Sequence, residues 1–78
     1  MSNEANIKDF RIRAYGRTEL AQEYNPHLAP STAWHRLKDW IDRYPGLASR
    51  LRELGYTDKS RSWTPAQVSA IVSALGEP

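Results

Sequence analysis

Apolar residues recur at helical spacing through the middle of the chain. Ala33, Trp34, Leu37, Trp40, Ile41 and Tyr44 fall on one broad arc at ~100° per residue, which predicts an amphipathic helix. Ser31 or Thr32 is its expected cap. Its expected end is Tyr44, because Pro45 disfavours α geometry in the residue before it. A second helix follows from Pro45-Gly46, with Leu47, Leu51 and Leu54 inward and Gly55 as a left-handed cap. The run Thr64-Pro65-Ala66-Gln67 combines a capping box with proline at the first helical position. It opens a last helix carrying Val68, Ile71, Val72 and Leu75, which Gly76 ends.

Upstream the period changes. Residues 7–15, IKDFRIRAY, alternate, with Phe10, Ile12 and Ala14 on one side and Arg11, Arg13 and Tyr15 on the other. That is the period of a strand, and Gly16 breaks it. A short helix is then expected from Thr18, as cap, to Tyr24, with Pro26 stopping it and Leu20, Ala21 and Tyr24 facing inward. Residues 1–6 are polar and expected to fray. Residues 56–63 read as a polar loop. The expected architecture is mainly α: one four-helix domain over 7–78, with one or two extended segments at about 9–15 and 61–63.

Composition narrows the class without naming a chemistry. A chain of 78 residues is one domain, and three Trp, four Tyr and one Phe supply much of the area it has to bury. With no cysteine, disulfides and thiolate metal sites are excluded. No apolar run approaches the ~20 residues of a membrane span, and no signal peptide is apparent. The expectation is a cytoplasmic, bacterial-type protein with no membrane partner. The net charge is only +2, but it is unevenly spread. Residues 31–63 hold a basic excess of three, while residues 1–30 balance and residues 64–78 add only Glu77. This permits a phosphate-facing surface on the central part of the chain.

The outer face of the long helix carries Thr32, His35, Asp39, Asp42 and Arg43, with Arg36 at its margin. As a DNA contact, Arg36 would bond guanine, while Ser31, Thr32 and the helix N-terminus would meet phosphate. Asp39 and Asp42 oppose this, since carboxylates repel phosphates. The plain alternative is a solvated face with i,i+4 pairs such as His35–Asp39 and Asp39–Arg43. Lys59 and Arg61, in the loop before Trp63, are a second set of backbone contacts, or else an ordinary surface loop. Arg17, just after Gly16, completes the nucleic-acid candidates. His35 and Asp39 sit at metal-ligand spacing with no third ligand, so no metal is expected. No nucleophile motif or glycine-rich phosphate loop occurs, so neither an enzyme, a cofactor nor a small-molecule substrate is expected. The aromatics read mainly as core, with Trp40 at the edge of the arc as a candidate anchor for a protein partner.

Residues 16–37, GRTELAQEYNPHLAPSTAWHRL, resemble the helix-turn-helix of the excisionase and MerR-like group, in which the second helix enters the major groove. The run R-S-W-T-P-A-Q-V at 61–68 resembles the approach to the following helix in winged variants. Separately, A-Y-G-R-T-E-L-A at 14–21, A-W-H-R-L-K-D-W-I at 33–41, L-R-E-L-G-Y at 51–56 and the run from Thr64 to Pro78 resemble a family of short bacterial proteins known only as a domain of unknown function. The helix-turn-helix resemblance implies a small DNA-binding or transcription-associated protein. The alternative is a protein–protein adaptor of the same shape, using Trp40, Tyr56 and the surface of the last two helices.

Overall fold

The computed structural model describes residues 10–78. The 1–6 segment expected to fray and residues 7–9 of the expected strand lie outside them. The elements run β1 (Tyr15–Gly16), α1 (Arg17–Tyr24), α2 (Pro30–Arg43), α3 (Leu47–Glu53), β2 (Ser62–Trp63) and α4 (Pro65–Leu75). The domain is mainly α, with β1 and β2 as a two-stranded antiparallel ribbon pairing Tyr15 with Trp63 and Gly16 with Ser62.

The N-terminal strand is a correction. Among the described residues strand structure begins only at Tyr15. Phe10 and Tyr15 stack with ring centroids 5.4 Å apart, whereas in a strand five residues would separate them by about 17 Å on opposite faces. The chain therefore curls back on itself. The Tyr15 hydroxyl donates to the Arg11 carbonyl at 2.8 Å, and Tyr15 is buried while Ile12 is 48% exposed. Phe10 and Tyr15, which alternation puts on opposite faces, thus lie together against the core.

Each helix start follows from backbone chemistry. α1 begins at Arg17, not after Thr18, because the Glu19 carboxylate reaches back to the Gly16 N–H at 2.9 Å. Arg13 bonds the same carboxylate at 3.2 Å. α2 begins at Pro30, whose fixed φ suits the first helical position. Ala29, held extended before the proline, takes the cap position expected for Ser31 or Thr32. α2 stops at Arg43, leaving Tyr44 43% exposed beyond it rather than on the buried arc. Gly46 at φ 82° precedes α3. Gly55, at φ 98°, closes it in a Schellman arrangement: Tyr56 N–H reaches Leu51 C=O at 2.9 Å and Gly55 N–H reaches Arg52 C=O at 3.0 Å. Thr64 caps α4 as its sequence requires. Gln67 N–H donates to Thr64 Oγ1 at 3.2 Å, and the Gln67 side chain accepts from Thr64 N–H at 2.9 Å.

The core joins all four helices. Leu20 and Ala21 of α1, Ala33, Leu37 and Ile41 of α2, Leu47 and Leu51 of α3, and Val68 and Ile71 of α4 are buried together with Tyr15 and Trp63. Tyr56 stacks on Trp63 at 4.7 Å, and Trp34 lies tilted against it at 6.1 Å. Among the described residues no acceptor meets the buried indole N–H of Trp63. Ring packing offsets that cost in desolvation.

Candidate nucleic-acid interface

The charge of α2 divides along its length. From Pro30 to Lys38 there is no acidic residue. Ser31, Thr32, His35 and Arg36 are all exposed, and no side chain caps the helix N-terminus. The acids lie in the C-terminal half, each engaged by a cation one turn away: Asp39 by Arg43 at 3.0 Å, Asp42 by Lys38 at 2.9 Å. The hydrogen bond to Asp42 holds the Lys38 ammonium above its usual range, with Asp42's charge and then the nearby Tyr56 and Asp58 adding to it. Arg43 is thus tied to Asp39 rather than presented alone.

Two segments distant in sequence meet beside the other half of α2. Arg17 N–H donates to the Arg61 carbonyl at 2.9 Å, extending the β1–β2 ribbon into the start of α1. The Arg17 guanidinium then lies over the Trp34 ring, 4.7 Å from its centroid. Trp34 in turn leans on Trp63. Arg17 is therefore fixed against the N-terminal half of α2 by a cation–π contact behind it and a backbone tie beside it. Lys59 stands in a tight turn, in which its N–H donates to Thr57 Oγ1 at 3.2 Å and Ser60 N–H to the Thr57 carbonyl at 3.0 Å. The loop is tied at both ends, with Tyr56 stacked on Trp63 and the Arg61 carbonyl bonded to Arg17, so it flanks α2 on the side of Trp34.

The eight sequence candidates do not all converge. Stepping ~100° per residue from the buried Leu37 puts Ser31 and His35 round on the Trp34 and Lys38 side, with Arg17 and the 57–61 loop. Thr32, Arg36 and Arg43 fall toward the opposite flank, where Trp40 packs edge-on against Tyr24 at 6.2 Å. Trp34 and Lys38 are not among the eight. The spacing of Trp34 points to the core, and nothing local in the sequence shows that Arg17 comes to rest on it.

A family model described as a domain of unknown function, DUF4248, matches residues 11–78. The chain belongs to this family. No curated protein and no solved structure matches it. What this DUF4248 domain offers a ligand is accordingly read from its surface. Besides α2, two hollows stand out. One, of about 600 Å³, lies between α3 and α4 and is lined by Tyr44, Leu47, Leu54, Ala66, Ala70 and Ala74, with Arg50 at its edge. The other, of about 450 Å³, is lined by Tyr24, Trp40, Leu75, Glu77 and Pro78. The Tyr24 hydroxyl donates to the Gly76 carbonyl; burial, and then the Glu77 charge, pushes the phenol up to about 12. Among the described residues no three His, Asp or Glu side chains converge as a metal site would need, and no helix is long and apolar enough to cross a membrane.

Proposed function

We propose that this DUF4248 domain binds duplex DNA with the N-terminal half of α2. The observation that carries the reading is the Arg17 guanidinium seated on Trp34 at an acid-free helix start, where Ser31 and His35 are exposed on its own flank and Thr32 and Arg36 on the other. In this reading, Arg17, Arg61 and Lys59 meet phosphates, and the first residues of α2 approach base edges. The asymmetry of α2 supports it. The carboxylates that would repel the backbone lie in the other half, each with its charge offset by a neighbouring cation. The connection between α1 and α2 spans residues 25–29, longer than the roughly three or four residues usual for a helix-turn-helix. Donation from Leu28 N–H to Asn25 C=O at 3.1 Å and from Gln22 Nε2 to Leu28 C=O at 3.2 Å closes it compactly. A compact connection still allows α2 to project.

The adaptor reading rests on a different observation, the exposed Tyr44 beside the apolar hollow between α3 and α4. Of the two anchors the sequence suggests, Trp40 packs on Tyr24 and Tyr56 is stacked on Trp63, and each is half-buried, which leaves less of them for a partner. The two readings separate in one experiment. Fluorescence anisotropy of a mixed-sequence duplex, followed across a salt series, is expected to show micromolar binding at low ionic strength that weakens as salt rises. Arg36→Ala should reduce preference among sequences, while Lys59→Ala should weaken all duplexes alike. Absence of salt-dependent binding by the wild-type chain would leave the adaptor as the better reading.

A further inference from the structure

The hollow at the end of α4 lies on the Trp40 flank of α2, the flank of Arg36 and opposite Arg17, and has a chemistry of its own. Tyr24 and Trp40 meet at 78°, so their ring planes form two walls of a corner. Leu75 and Pro78 add apolar surface, and Glu77 supplies a carboxylate. Glu77 is the one charged residue from Thr64 to Pro78. The hydroxyl of Tyr24 is held by the Gly76 carbonyl, which fixes both the ring and the backbone next to Glu77. Among the described residues the cation–π contacts lie elsewhere, Arg13 on Tyr15 and Arg17 on Trp34. Two ordered aromatic rings, an apolar rim and one carboxylate are the groups that favour a positive charge carried on a partly apolar body.

We infer that the hollow formed by Tyr24, Trp40 and Glu77 is a receptor for an organic monocation, an alkylated ammonium or a guanidinium. A bare metal ion is a poor fit, because one carboxylate and two rings cannot replace its hydration shell. A neutral apolar group of the same shape gains the apolar contact but neither the carboxylate nor the ring quadrupoles. The site therefore selects by charge as well as by shape.

The test uses the full chain and follows the indole N–H resonances of the three tryptophans by NMR. The probes are tetramethylammonium chloride, a short peptide bearing trimethyllysine, and a neutral tert-butyl isostere, all at matched ionic strength. A saturable shift is expected at Trp40, with smaller changes at Trp34 and Trp63. Glu77→Gln should weaken cation binding about fivefold, the effect of ~1 kcal/mol for a charge pair at contact distance in water. Trp40→Phe keeps an aromatic wall if Trp40→Ala does not fold; followed through the backbone amides of Gly76 and Glu77, since it lacks the reporting indole, it should weaken binding by a few-fold, because Trp is the best cation–π face. Tighter binding of the peptide than of tetramethylammonium would identify a partner's side chain as the source. Equal affinities would identify a free cation. Equal affinity for the neutral isostere, indifference to Glu77→Gln, or no saturable shift at Trp40 would each overturn the inference.

Discussion

Gln67 carries more structural consequence than any other polar residue in the core, and its replacement gives a calibrated test of the fold. It is 3% exposed and uses both ends of its amide. Oε1 accepts from Thr64 N–H at 2.9 Å, and Nε2 donates to Leu54 C=O at 3.0 Å, joining the start of α4 to the end of α3. Gln67→Ala removes both partners and leaves a backbone donor and a backbone acceptor to find others. At ~0.5–1.5 kcal/mol for each hydrogen bond, the expected loss is about 1–3 kcal/mol. Thr64→Ala, which removes one side of the box, should lose ~0.5–2 kcal/mol. Ser69→Ala, on the exposed face of α4, should stay within about 0.5 kcal/mol. Urea unfolding reads these as shifts in midpoint at unchanged slope. Gln67→Glu sharpens the test, because a carboxylate can still accept from Thr64 N–H but meets the Leu54 carbonyl with like charge. It should be more damaging than Gln67→Ala at neutral pH and recover partly in acid as it protonates. A Gln67→Ala variant that loses less than about 0.5 kcal/mol, or a Gln67→Glu variant as stable as wild type at neutral pH, would refute this account of the α3–α4 junction.

Three further outcomes follow from the packing and the titrating groups. Ile41→Ala, in a buried position on α2, should cost on the order of 2–5 kcal/mol in chemical denaturation, and a loss below about 1 kcal/mol would contradict the packing described. The Glu19 carboxyl is held below its ordinary value of 4.5, first by the Gly16 N–H and then by Arg13. Its contribution is therefore present above that value and lost as pH falls through the folded-state value, so Glu19→Gln should flatten the acid limb of the stability profile. The Tyr24 phenol is pushed up to about 12 by burial and then by Glu77, so the folded state favours the neutral phenol. Stability should decline as pH rises from the ordinary value of 10.0 toward about 12, and Tyr24→Phe should remove that part of the decline.

What the sequence makes legible is what lies close along it. The Thr64–Gln67 box, the left-handed Gly55 and the Ala33–Leu37–Ile41 stripe involve partners one turn apart, and each appears where the pattern puts it. The Asp39–Arg43 pair belongs with them. The cap of α2 is harder to place because the two hydroxyls able to cap it stand just after Pro30, which fixes its own backbone as the first helical residue and leaves the cap position to Ala29. Residues 10–15 alternate as a strand does, yet Tyr15 is drawn into the core and stacks on Phe10, a tertiary demand that overrides the alternation. The candidate interface is legible only as a set of residue types. Arg17 and Trp34 meet because the ribbon brings Arg61 to Arg17 and α1 packs on α2, and no local spacing encodes that.

The proposed role of α2 is tested most directly by variants whose effects should have opposite signs in one assay. Duplex affinity and its salt slope would be measured for wild type, for Arg17→Ala with Arg61→Ala, and for Asp39→Asn with Asp42→Asn. Removing the two arginines should weaken binding and flatten the slope by about one unit for each phosphate no longer neutralised. Neutralising the two carboxylates releases Arg43 and Lys38 from their pairs and should strengthen binding. Equal affinities for all three proteins, or no salt-dependent binding by any of them, would contradict a DNA-facing α2.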